Sequence, residues 1–155
     1  MMSNLRVRAD EFLSQKRIAV AGVSRTEQDS ANIIYKKLRD TGYQVFAINP
    51  NAEEVEGDPC YPTIGSIPDG IENVVIVTTP EVTDSVVRDC ADAGVKRVWM
   101  HRSLGNSVSD DAVEFCRQHG IQVLDGGCPM MFCEPVDFGH KCLRTVMGWA
   151  GRLPK

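Results

Sequence analysis

The chain has 155 residues, 43% of them hydrophobic and 25% charged, with a formal net charge of -4. At roughly 100–200 residues per domain, this length builds one core, and the apolar fraction excludes a disordered chain. The acidic balance argues against nucleic acid and anionic membranes as partners, and the longest uncharged run, residues 41–52, falls short of the roughly 20 residues a bilayer span takes.

The first residues, MMSNLRVRADEFLSQKR, are charged throughout and lack the apolar stretch of a secretory signal. The expectation is a cytoplasmic protein whose six cysteines stay reduced. Residues 7–14 predict a helix that buries Ala9, Phe12 and Leu13. RIAVAG (residues 17–22) is an apolar strand closed by glycine, and VSRTEQDS is the loop after it. A helix over residues 31–41 follows, with Ala31, Ile34, Tyr35 and Leu38 at i, i+3, i+4, i+7 spacing. QVFAIN (residues 44–49) is the second strand.

From Pro50 to Asn73 the glycines and prolines predict an irregular crossover with one helical turn. NVVIVTT (residues 73–79) is the third strand. Thr79, Pro80 and Glu81 suit the first turn of a helix, and Val82, Val86, Val87 and Cys90 are its expected core face. RVWMH (residues 97–101) is the fourth strand. Ser107 and Asp110 resemble a capping pair for a helix over residues 109–119, and IQVLD (residues 121–125) is the fifth strand. A last helix is expected over residues 137–148.

The pattern predicts a single domain over residues 1–155, with a C-terminal helical extension from about residue 134. Short apolar strands alternating with helices imply an α/β fold with a parallel sheet. The expected form is a doubly wound, Rossmann-like, five-stranded sheet of order 3-2-1-4-5 with helices on both faces. Ligands of such sheets bind outside the carboxyl ends of the strands, where strand order reverses. Five segments then become candidate site loops: residues 22–25, 49–50, 78–80, 101–105 and 126–129.

In the first loop, Gly22 permits a sharp turn, Ser24 offers a hydroxyl and Arg25 a fork of donors. Together with Val23 they form GVSR, suited to a phosphate. The dinucleotide fingerprint G-x-G-x-x-G is absent, since Ser24 and Glu27 occupy its second and third glycine positions. The second strand ends in Asn49-Pro50 rather than an acid for a ribose diol, and no G-x-x-x-x-G-K-[ST] occurs. NAD and ATP are therefore disfavoured.

GVSR, GYQVFAINPN, GDPCYPTIGSIPD, TTPE and GCP together resemble the stand-alone CoA-binding proteins. These are similar to the N-terminal Rossmann-type domain of the succinyl-CoA synthetase α subunit. The resemblance covers roughly residues 12–129. It implies a site for CoA or an acyl-CoA, with Gly22, Ser24 and Arg25 near phosphates. Asn49, Pro50, Thr78, Thr79 and Pro80 would line the adenosine side, and Cys128 and Pro129 the far edge. Departures limit what carries over: Trp99 leads into Met100-His101-Arg102 instead of the family's glutamine and glycine, and the tail is longer. The synthetase's second domain, with its phosphorylated histidine, is not in this sequence.

His101 ends a strand at the site and reads as a polar rim residue that can contact a ligand. General acid–base work needs a positioned partner, which the sequence order does not provide. Cys128, Cys133, His140 and Cys142 form C-x4-C-x6-H-x-C, but structural zinc knuckles are usually tighter and His140 and Cys142 on one helix would point apart, so no metal is expected. The last helix has two apolar stripes. One covers the sheet, and the other offers a surface for a second copy or a protein partner. The resulting expectation is a CoA-binding protein without catalysis of its own. The alternatives are a nicotinamide-linked oxidoreductase and a subunit of an acyl-CoA ligase.

Overall fold

The computed structural model describes residues 3–26, 29–103 and 105–132. The expected last helix, the extension from residue 134, and Cys133, His140 and Cys142 lie outside the described residues. Helix α1 (Ser3–Leu13) precedes strand β1 (Arg17–Ala21), α2 (Ser30–Asp40) and β2 (Gln44–Ile48). A short hairpin, β3 (Glu54–Val55) and β4 (Asp58–Tyr61), comes next, followed by a 3-10 turn over Ile64–Ser66. Then come β5 (Asn73–Ile76), α3 (Pro80–Asp92), β6 (Arg97–Met100), α4 (Asp110–Gln118) and β7 (Gln122–Asp125). No described helix is long and apolar enough to cross a membrane.

The strands form one sheet of seven in the order β3-β4-β2-β1-β5-β6-β7, parallel except for the β3–β4 hairpin. This fits the α/β class and corrects two details, the strand count and the order. The expected third strand, now β5, pairs with β1 rather than lying beyond β2. The place beyond β2 belongs to β4, inside the segment expected to be irregular. Its sequence, Asp-Pro-Cys-Tyr, begins with two residue types that strands avoid, so no apolar run announces it.

Alternation along each strand feeds two cores. Ile18, Val20, Val75, Trp99 and Leu124 face α1 and α2, among Ala9, Phe12, Leu13, Ile34, Tyr35 and Leu38. Ala19, Ala21, Val74, Ile76, Val98, Met100 and Val123 face α3 and α4, among Val87, Cys90, Ala112, Val113 and Cys116. Burial pushes the Cys116 thiol up to about 11 and raises that of Cys90 as well.

Two details of the helices differ from expectation. Val82 is exposed and Thr83 is fully buried, so the core stripe of α3 runs through Thr83, Val87 and Cys90. The cap of α4 is Ser109, whose hydroxyl oxygen accepts the Ala112 amide at 3.2 Å, while Ser107 turns toward Thr78.

The β3–β4 hairpin is fastened to α2. Its two-residue loop, Glu56-Gly57, has φ of 53° and 80°, as a type I′ turn requires. Glutamate is an unusual occupant of that position, and its carboxylate accepts from Asn32 Nδ2 at 2.9 Å. Asp58 accepts from Arg39 Nη1 at 2.8 Å and from the Tyr35 hydroxyl at 2.7 Å. Those two donors hold the Asp58 carboxyl below its ordinary range. Burial, reinforced by the bond to Asp58, raises that of Tyr35.

Candidate functional site

Between β1 and β5 the connections leave in opposite directions, which opens a crevice at the carboxyl ends of the strands. A cleft of about 510 Å³ lies there, lined by Gly22, Thr78, Thr79, Pro80, His101 and Ser107 among others. A second cavity, of about 440 Å³, lies at the opposite end of the sheet beside Arg17 and Asn73. Arg17 is bound there to the carbonyls of Pro68 and Gly70, at 2.8 and 2.7 Å, away from the loops the topology marks for ligands.

Gly22 has φ of 103°, and a Cβ built on it would stand 2.0 Å from the Val77 carbonyl oxygen. Only glycine allows β1 to turn this close to the end of β5. Val23, next in the loop, is fully buried in the α1–α2 core, so its backbone alone is available to the site. Ser24 donates its amide to Asn32 Oδ1 and accepts from Asn32 Nδ2 through its carbonyl, each at 2.8 Å. The Ser24 amide is therefore turned toward the protein. Its hydroxyl lies 2.7 Å from that of Thr26. Arg25 is exposed and forms no ion pair among the described residues.

Asn49 holds the first loop from the other side. Its Nδ2 donates to the Val23 carbonyl at 2.8 Å, and its Oδ1 accepts the Asn51 amide at 2.7 Å. Pro50 beside it is exposed. Thr78 donates its amide to Ser107 Oγ at 3.0 Å, which ties the loop after β5 to the loop after β6. Thr79 is exposed at the start of α3, and Pro80 takes the first helical position, where its missing N–H costs nothing.

His101 is buried, with Nε2 3.2 Å from the Ser103 hydroxyl. Cys128 is only 3% exposed and belongs to the α1–α2 core, and Pro129 is buried with it. A three-residue 3-10 turn, Pro129–Met131, follows Cys128. Among the described residues no cluster of three or more His, Cys, Asp or Glu could hold a metal ion.

Of the sequence candidates, the fold brings Gly22, Thr78, Thr79, Pro80 and His101 together on the cleft. Ser24, Arg25, Asn49, Pro50, Cys128 and Pro129 do not line it. Sequence reasoning missed Asn32, Thr83 and Ser107. Asn32 and Thr83 carried a usable signal, a polar residue interrupting the buried face of an amphipathic helix.

A family model described as a CoA binding domain matches residues 16–134. The ADP-forming acetate–CoA ligase I of Archaeoglobus fulgidus is 28% identical over 123 residues, which are 73% of this chain and 18% of that protein. The chain thus spans less than a fifth of the ligase it matches. A hypothetical protein from Pyrococcus horikoshii OT3 superposes with a TM-score of 0.78 at 32% identity, covering 84% of this chain and 91% of that one. The dinucleotide-forming acetyl-coenzyme A synthetase 1 of Ca. Korarchaeum cryptofilum superposes at 0.62 with 29% identity, covering 70% of this chain and 25% of that one. With the family model spanning most of the sequence, and with a Rossmann-like sheet bearing a cleft at its switch point, this chain belongs to the CoA-binding domain family.

Proposed function

We propose that the chain binds CoA or an acyl-CoA in the cleft between β1 and β5 and carries out no covalent chemistry of its own. The observation that carries this reading is the character of the cleft lining. Gly22 supplies close backbone approach, and Thr78, Thr79 and Ser107 supply hydroxyls. Such groups position a ligand by hydrogen bonds, and the His101 imidazole on the same lining has its Nε2 3.2 Å from the Ser103 hydroxyl, which is not among the lining residues. Arg25, exposed at the mouth of the first loop, suits a phosphate.

Titration calorimetry and thermal melting with CoA, NAD and ATP test the reading. CoA at about 100 times its Kd stabilises the fold by about 2.7 kcal/mol, and NAD and ATP do little. Equal stabilisation by NAD would replace this reading with the nicotinamide-linked one.

A second reading gains weight from the ligase relatives: the chain presents CoA to a partner that supplies the chemistry. Native mass spectrometry from the producing cells distinguishes a free chain, a dimer and a hetero-complex. The buried cysteines Cys60, Cys90, Cys116 and Cys128 suit a reducing cytoplasmic setting.

A further inference from the structure

Thr78 and Ser107 line the cleft, Thr83 is bonded to both, and counting the hydroxyl hydrogens of the three fixes what the two lining residues offer a ligand. Thr83 is fully buried, and its Oγ1 lies 2.7 Å from the Ser107 carbonyl oxygen. A carbonyl has no hydrogen to give, so the hydrogen between these oxygens belongs to Thr83. The Thr79 carbonyl, 3.1 Å away, shares it. Thr83 Oγ1 also lies 2.7 Å from Thr78 Oγ1. The single hydrogen of Thr83 is already engaged, so Thr78 donates this bond.

Thr78 lines the cleft and is left with lone pairs only. Ser107 has the opposite character. Its Oγ accepts the Thr78 amide at 3.0 Å, which leaves its own hydrogen for another acceptor. The geometry points to Thr83 as a positioning residue that sets specificity. It fixes Thr78 as an acceptor beside the donor Ser107, so this part of the cleft takes a ligand group that carries a donor next to an acceptor.

The assignment rests on the CoA reading. CoA has such groups in two places, the amino edge of adenine and the amides of the pantetheine arm. The test titrates wild type, Thr83→Ser and Thr83→Val with CoA, with adenosine bisphosphate (adenine without the arm) and with phosphopantetheine (the arm without adenine). Thr83→Val frees the Thr78 hydroxyl to rotate. It weakens CoA roughly five- to tenfold, the scale of one misdirected hydrogen bond, while Thr83→Ser keeps wild-type affinity. A loss shared by adenosine bisphosphate puts adenine on Thr78 and Ser107. A loss shared by phosphopantetheine puts the arm there.

Melting of the unliganded variants reads the structural cost separately. A lowered Tm for Thr83→Val with unchanged CoA affinity overturns the assignment, as does an equal loss of affinity in Thr83→Ser. If Thr83→Val does not fold, Thr78→Val removes the acceptor itself at a half-buried position, and unchanged affinity there overturns the assignment too. Wild type that binds none of the three probes overturns the CoA reading, and the assignment falls with it.

Discussion

The indole N–H of Trp99 donates to the Gly126 carbonyl oxygen at 2.9 Å, with both groups buried. Trp99 stands in the middle of β6, met edge-on by Phe12 at 5.4 Å and at a tilt by Phe132 at 6.0 Å. The bond anchors the start of the loop after β7 to the core, which leads on to the buried Cys128. Trp99→Phe keeps most of the apolar surface but leaves a buried carbonyl without its donor. The expected loss is about 1–3 kcal/mol of unfolding free energy, read by urea denaturation with the slope unchanged. A variant as stable as wild type would mean that the Gly126 carbonyl finds another donor.

Arg25 and Asn32 separate ligand contact from loop support. Arg25→Ala leaves stability unchanged, because the side chain is exposed. It weakens CoA by about 1–3 kcal/mol, the scale of a charge-assisted hydrogen bond. Asn32→Ala removes both bonds to Ser24 and the bond to Glu56, so it lowers Tm and CoA affinity together. Calorimetry and melting on both variants check the split. Unchanged affinity in a folded Arg25→Ala protein takes that residue out of the site.

The latch between α2 and the hairpin gives the stability a pH dependence of definite sign. Folding lowers the Asp58 pKa, chiefly through the bond from Arg39 and next through that from Tyr35. Its contribution is complete above the ordinary aspartate value of 3.8 and is lost as pH falls through the lower folded value. On the alkaline side, folding raises the Tyr35 pKa. The neutral phenol's contribution is complete below its ordinary value of 10.0 and is lost as pH rises through the folded one. Denaturation from pH 7 downward compares wild type with Asp58→Asn. The variant loses less stability on acidification, and equal acid sensitivity would mean that the latch contributes nothing measurable.

Strands β1, β2, β5, β6 and β7 were legible because each carries a run of at least two consecutive apolar residues, as strands covered on both faces must. β4 was not, because Asp58 and Pro59 read as turn chemistry and its pairing with β2 involves only Cys60 and Tyr61. With β4 unseen, β5 was given the place beyond β2. Only tertiary pairing of Val74, Val75 and Ile76 with β1 places it correctly. The topological rule located the site loops, but which side chains face the cleft depends on partners far along the chain. Asn49 looked like a ligand contact and instead holds the Val23 carbonyl, 26 residues away in sequence. Thr83 is absent from the core face expected of α3 because a threonine's burial depends on which carbonyls receive its hydrogen.

Gly22→Ala tests whether the cleft depends on backbone contact between β1 and β5. The new Cβ would stand 2.0 Å from the Val77 carbonyl oxygen and 2.8 Å from its carbon, both backbone atoms with no rotamer to escape into. The residue would also have to keep φ near 103°, where side chains other than glycine's are strained. Overpacking and backbone strain each cost about 1–3 kcal/mol, so a combined loss of about 3 kcal/mol or more is expected. Relief requires β1 to separate from β5 at their carboxyl ends, the wall between Thr78 and the first loop. CoA binding should therefore fall more than Tm alone accounts for, measured at a temperature where the variant is fully folded. Gly42→Ala is the control. Gly42 also has positive φ, 98°, but nothing stands within 4 Å of its Cβ position. That variant should lose some stability from strain and keep its affinity for CoA. Equal behaviour of the two variants would assign the effect at Gly22 to backbone conformation and not to the contact with Val77.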